Sequence, residues 1–239
     1  MYQPVMLTTP FFEIGPKVYL YGQQVLDLAL EADRVAALYG VDIIFTAQYT
    51  DIAPIAAATR HIKVFAQHMD PVAPGRGVGA VLPEALVDAG AVGVLLNHAE
   101  KQLSLAVLAE TIRRAKEVGL MTLVCAGDSR ESAAVACLGT DIVLAESPAL
   151  IGKGQRGPQD TAEIVAINAA VNAVNPAARV LHGAGIKDQA DVYEIIRAGA
   201  EATGSTSGIL QAENAFVMLE AMIAAAAQAW RERTYCKDK

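Results

Sequence analysis

Residues 91–126 read AVGVLLNHAEKQLSLAVLAETIRRAKEVGLMTLVCA, and the fold follows from this stretch. Two short apolar runs, AVGVLLN (91–97) and LMTLVCA (120–126), flank a segment with a different period. There Leu105, Leu108, Ile112 and Ala115 recur at spacings of three and four, as on a helix with one apolar face. Arg113, Arg114 and Lys116 crowd its end, where cations meet the negative pole of a helix, and Gly119 follows as a stop. A strand that is apolar throughout is covered on both faces, so strands of this kind joined by helices imply a parallel sheet.

The same unit repeats outward in both directions. FFEIG (11–15), VDIIFTA (41–47) and IKVFAQ (62–67) precede it; DIVLAE (141–146), ARVLHGAG (178–185) and a weaker, polar ATGST (202–206) follow. Val25, Leu28, Ala32 and Val35 predict an early helix; Phe216, Leu219, Ile223, Ala226 and Trp230 give the last one an apolar stripe. Eight such units in 239 residues predict an α/β fold, a closed (β/α)8 barrel forming one domain over residues 1–239. An open doubly wound sheet is the alternative, but it has about five or six strands, and no G-x-G-x-x-G follows the first strand.

Composition agrees with alanine-rich helices packed on Val/Ile strands: 53% of residues are hydrophobic and 5% aromatic. No apolar run reaches the roughly 18 residues that cross a bilayer. The beginning MYQPVMLTTP lacks the basic start and apolar core of a secretory signal. Three cysteines (Cys125, Cys137, Cys236) form an odd set without metal-ligand spacing, which fits a reducing cytoplasm. The net charge of −7, with both signs mixed, argues against a nucleic-acid surface. It leaves open a phosphate held by backbone amides and a lysine.

In such a barrel the chemistry gathers where the strands end. Glu146 closes an apolar strand; partial desolvation there would raise its pKa and suit it to proton transfer. A surface glutamate at a loop start reads the same way. His98, between a strand and its helix, is expected to meet a helix N-terminus, whose dipole keeps imidazole neutral and able to donate to a carbonyl. A capping histidine is the competing reading. Lys17 follows the first strand and could hold a phosphate, although most lysines are merely solvated. Glycines in IGKG (151–154), GAG (183–185) and SG (207–208) let amides approach an anion, and the last two loops are the usual barrel phosphate site.

Jointly these segments resemble the triosephosphate isomerase family, in particular its short archaeal branch, over residues 10–230 or so. AQHMDPVAPGRGVGAVLPEAL looks like the family's third loop and AGAVGVLLNHAE its fourth-strand signature. EVGLMTLVCAG is similar to its fifth strand, ESPALIGKG to its hinged lid, and HGAGIKDQADV to its phosphate turn. The resemblance implies a TIM barrel with Glu146 as base, His98 as electrophile, Lys17 as anchor, and Glu100 beside Lys17. It implies a phosphate cradle of Gly152, Gly185, Ser207 and Gly208, and a lid over residues 147–154. It implies a small phosphorylated sugar as substrate, no metal or organic cofactor, no nucleic-acid or membrane partner, a cytoplasmic location, and a homo-oligomer, dimer or tetramer.

Several positions depart from the family's pattern. Gly15 stands where the family has an asparagine, Ala99 where it has a serine, Val78 where a threonine reaches the neighbouring subunit, and Lys153 where the lid has a threonine. The eighth strand is polar, and Thr203, Ser205 and Thr206 are expected near the barrel interior, where substrate hydroxyls or water could use them. Three readings follow. The leading one is interconversion of glyceraldehyde 3-phosphate and dihydroxyacetone phosphate. The others are isomerisation of a sugar phosphate of four or more carbons, and non-catalytic phosphate binding.

Overall fold

The structure, a computed structural model, describes residues 7–146 and 160–235. Within them eight parallel strands close into a barrel in simple sequential order. They are β1 (Phe11–Ile14), β2 (Asp42–Ala47), β3 (Ile62–Ala66), β4 (Gly93–Leu96), β5 (Met121–Ala126), β6 (Ile142–Ala145), β7 (Arg179–His182) and β8 (Ala202–Gly204). Phe11 sits at the seam, paired with Asp42 on one side and Ala202 on the other.

Helices alternate with the strands. They are α1 (Gln23–Tyr39), α2 (Tyr49–Ala58), α3 (Pro83–Asp88), α4 (Leu105–Val118), α5 (Ser129–Cys137), α6 (Asp160–Val174), α7 (Gln189–Arg197), a short α8 (Ser207–Leu210) and α9 (Ala215–Tyr235). Their ends are set by local chemistry. Ser104 caps α4 through its side chain, and Gly119 ends it in the left-handed region at φ 88°. Asp128 caps α5 by accepting from the N–H groups of Arg130 and Glu131. Val25, Leu28, Ala32 and Val35 of α1 are all buried. Leu105 and Phe216 differ from the sequence expectation: they lie in the first turns of α4 and α9 and are 63% and 43% exposed. The buried stripes of those helices begin one turn later, at Leu108 and Leu219.

Strand alternation sorts the core into two layers. Phe12, Ile14, Ile43, Phe45, Val124 and Val143 pack outward with the helices. Phe11, Ile44, Phe65, Leu123, Leu144 and Leu181 fill the barrel itself. Two residues beyond four of these inner side chains stand Glu13, Thr46, Gln67 and Glu146, and all four border cavities at the C-terminal end. The interior is apolar at its waist and polar at its mouth. The polar β8 fits because Thr203, fully buried, donates its hydroxyl to the His182 carbonyl at 2.8 Å.

Candidate active site

Backbone strain is concentrated at the mouth of the barrel. Among the described residues the non-glycine positions with positive φ are Lys17 (49°), Asn97 (59°) and Ala184 (60°), each just past the end of a strand. Such conformations persist where the surrounding structure over-determines them, most often at sites of chemistry.

Lys17 is held in place from both ends. The Gln67 side-chain amide donates to the Lys17 carbonyl at 2.9 Å, and Lys17 Nζ donates to Glu100 Oε1 at 2.7 Å. That ammonium holds the Glu100 carboxyl below its usual range. Asn97 fixes the next loop: its Nδ2 donates to the Cys125 carbonyl at 3.1 Å, while its Oδ1 accepts from Leu103 N at 3.0 Å. His98 therefore follows an anchored residue.

His98 does not meet the start of a helix as expected. Helix α4 begins at Leu105, capped by Ser104, and His98 instead opens a turn closed by Lys101 N donating to His98 O at 2.7 Å. Within that turn the Glu100 N–H donates to His98 Nδ1 at 3.1 Å. A nitrogen that accepts carries no proton, so the neutral ring bears its hydrogen on Nε2. Burial, aided by Lys17 and opposed by Glu100, holds the His98 pKa below the ordinary histidine value. Burial, rather than a helix dipole, keeps the ring neutral, and the turn fixes its tautomer.

Glu146 follows β6 and is tied into the sheet edge, its N–H donating to Ala126 O at 2.9 Å. Its Oε2 stands 3.7 Å from His98 Nε2, and both side chains are largely covered. Gly183, at the end of the neighbouring strand, lies under this carboxylate: a Cβ there would come 2.6 Å from Glu146 Oε1. Glu146, Lys17 and Glu100 border a cavity of about 270 Å³ that runs to Gly185 and Ser207. A second cavity, about 230 Å³, adds His98.

On the side where the sequence places a phosphate cradle, Gly185 has φ 71° and follows the strained Ala184. Ser207 begins α8 and borders the 270 Å³ cavity. Gly208 lies one residue deeper, and a Cβ there would stand 2.7 Å from the carbonyls of Ile186 and Lys187. Gly208 thus seals the β7 and β8 loops against each other. Gly152 and the segment 147–154 lie outside the described residues. Ser205 and Thr206 do reach the cavity wall, but their hydroxyls donate to Ile186 O (3.1 Å) and Gly15 O (2.6 Å).

Four residues that sequence reasoning did not single out shape the site: Glu13, Thr46, Gln67 and Asn97. Glu13 is the most unusual, a carboxyl at the barrel mouth accepting from Thr46 Oγ1 at 2.7 Å. Burial above all pushes its pKa up to about 7; the Thr46 hydrogen bond opposes the shift, and Glu146 adds to it. The interior-facing alternation of FFEIG was the available signal, since it puts Glu13 on the same side as Phe11.

The triosephosphate isomerase family model matches residues 16–223, nearly the whole barrel. The chain belongs to the triosephosphate isomerase family. The triosephosphate isomerase of Methanobacterium bryantii is 38% identical over 209 residues, 86% of this chain and 92% of its own. That of Methanothermobacter thermautotrophicus is 39% identical over 211 residues, 86% and 91% of the two chains. That of Methanosarcina barkeri is 36% identical over 217 residues, 90% and 97%. The family match starts at Pro16 and so takes in Lys17, His98, Glu100 and Glu146, while Glu13 and Gly15 precede it. The closed sequential barrel is the TIM barrel anticipated from the β/α repeat.

Proposed function

We propose that the protein interconverts glyceraldehyde 3-phosphate and dihydroxyacetone phosphate through an enediolate. The observation that carries this reading is the His98–Glu146 pair, 3.7 Å apart, with Nδ1 of the histidine bound by a backbone N–H. A carboxylate and a neutral Nε2–H on one side of a cavity can act together on a carbon acid and its carbonyl. Glu146 takes the proton from the carbon beside the carbonyl and returns it to the neighbouring carbon. His98 donates through Nε2 to the carbonyl oxygen, recovers a proton from the adjacent hydroxyl, and so carries hydrogen between the two oxygens. Lys17 offsets the charge that builds on those oxygens, and Glu100 serves it twice, holding Nζ through its carboxylate and His98 through its N–H.

The phosphate would lie at Gly185 and Ser207, which border the larger cavity, with backbone N–H groups of these residues and of Gly208 and Gly152 as its donors. Ala184 and Gly185, both at positive φ, turn the chain past the end of β7 where it borders the larger cavity.

Self-association and a cytoplasmic location belong to the same reading. Val18, Tyr19 and Tyr21 after β1, Tyr49 at the start of α2, and Val78 after β3 are exposed apolar residues past the ends of successive strands. Patches of this kind on one sector of a surface favour a second copy. Among the described residues no helix is long and apolar enough to cross a membrane.

The deciding assay gives the purified protein glyceraldehyde 3-phosphate and couples the dihydroxyacetone phosphate formed to its reduction. Turnover that falls about 10²–10⁴-fold in Glu146→Gln supports the reading, that being the range for losing a positioned general base. Turnover that is absent, or equal in the variant, would overturn it.

A further inference from the structure

Glu13 takes no part in the proton transfers described above, yet the site is cut around it. The carboxyl is almost fully buried, at 8% exposure. A Cβ on Gly15 would come 2.8 Å from its Oε1 and 2.9 Å from Thr46 Oγ1. A Cβ on Gly204 would come 2.7 Å from the Glu13 carbonyl and 3.1 Å from its Oε2. Two neighbouring positions thus do without side chains, and a third supplies a hydroxyl, around one carboxyl. An ionisable group held this way in a barrel interior is hard to explain as packing, because an apolar side chain would fill the same space without losing hydration.

Its place relative to the two cavities indicates what it meets. Glu13, Lys17 and Glu146 border both. Gly183, Gly185 and Ser207 border only the larger one, on the phosphate side. Thr46, Tyr49, Gln67, His68 and His98 border only the other. A substrate with its phosphate at Gly185 and its reacting carbons between Glu146 and His98 runs from the first cavity through the junction into the second, which His98 borders. Beyond the junction the second cavity continues over Glu13 toward Gln67 and His68. With the phosphate and the reacting carbons fixed, the second cavity offers a fourth carbon room toward Gln67 and His68 among the described residues.

We propose that Glu13 binds a substrate hydroxyl, and that the site also takes a four-carbon ketose phosphate whose terminal hydroxymethyl group lies over Glu13 in the Thr46–Gln67–His68 cavity. This rests on the isomerase reading above. The reaction keeps its balance: Glu146 moves a proton from C3 to C2, His98 moves one between the oxygens, and the carbonyl passes from C2 to C3. A 2-ketotetrose 1-phosphate becomes the 2-ketotetrose 4-phosphate, with no oxidant or co-reactant. A carboxyl whose pKa is pushed up to about 7 presents both a donor and an acceptor form near neutrality, and either pairs with a hydroxyl.

The test compares kcat/KM for erythrulose 1-phosphate, followed by phosphorus NMR, with that for glyceraldehyde 3-phosphate, in the wild type and in Glu13→Gln. Turnover of both by the wild type, and a four-carbon to three-carbon ratio lowered at least tenfold in Glu13→Gln, is the expected result. Should that variant fail to fold, Thr46→Val, which removes the hydroxyl orienting Oε1, is expected to lower the ratio at least threefold. Wild-type turnover of the triose alone, or a ratio unchanged by the substitution, overturns the role of Glu13 and leaves the isomerase reading standing. Turnover of neither compound removes both.

Discussion

The backbone N–H of Glu100 donates to Nδ1 of His98 at 3.1 Å, and through this bond the loop after β4 selects the proton that the histidine can offer. The hydrogen of a neutral ring must then sit on Nε2, the atom that faces Glu146.

Nitrogen-15 NMR of histidine-labelled protein should report this tautomer directly. At pH 7 His98 should show a protonated Nε2 and an unprotonated Nδ1. Because burial holds its pKa below the ordinary histidine value, the ring should charge at a lower pH than an ordinary histidine. An imidazolium at pH 7 would contradict the assignment. His98→Gln, which cannot reproduce this arrangement, should lower kcat by roughly 10²–10³.

Lys17→Met separates catalysis from stability. The Lys17–Glu100 pair is partly open to water, its side chains being 25% and 64% exposed, so its loss should change stability by no more than about 1 kcal/mol. The charge it brings to the reacting oxygens is lost with it, and kcat/KM should fall roughly 10²-fold or more. Denaturant unfolding and steady-state kinetics on one preparation measure both. A variant that unfolds readily but turns over normally would reverse the picture.

Gly183→Ala tests whether the Glu146 carboxylate needs its observed place. The new methyl would lie 2.6 Å from Oε1 and 2.7 Å from Cγ, so the carboxylate must move. A displacement of about 1 Å costs on the order of 10²-fold in rate when the reacting geometry is tight. The loss should appear in kcat with KM little changed. Equal kcat in the two proteins would mean that Glu146 acts from another position.

Glu13 makes stability depend on pH in the direction opposite to a salt-bridged carboxylate. Its folded pKa of about 7 lies above the ordinary value of 4.5, so the folded protein keeps this proton where the unfolded chain has released it. Stability from this group is complete below pH 4.5, declines as pH rises to about 7, and is flat above. The full span is at most about 3 kcal/mol, and Glu13→Gln should recover much of it at pH 8 while matching the wild type at pH 4.5. Thermal unfolding across that range measures the difference. A wild type whose stability rises over the window relative to the variant would reverse the sign.

Much of this was legible in the chain itself. The alternation of apolar runs such as LMTLVCA with helical stripes such as Leu108–Ile112–Ala115 requires a parallel sheet covered on both faces, and the number of repeats closes it. Local rules likewise placed Gly119 at a helix end and Lys17, His98 and Glu146 at the strand ends, because capping, period and strand polarity depend only on near neighbours. Across-barrel relationships were not legible. That Gly15 and Gly204 leave room for Glu13, that Thr46 orients it, and that Gln67 and Asn97 lock the loops of Lys17 and His98 all join residues from different strands. Sequence reasoning also assigned the tuning of His98 to a helix dipole, whereas burial lowers its pKa and a short turn sets its tautomer. The sequence by itself determined the β/α repeat and the residues at its strand ends, since both rest on contacts close along the chain. Only the tertiary structure decided which carboxyl is buried, which nitrogen carries the proton and which cavity each side chain borders, because burial and distance arise when strands far apart in sequence close into one ring.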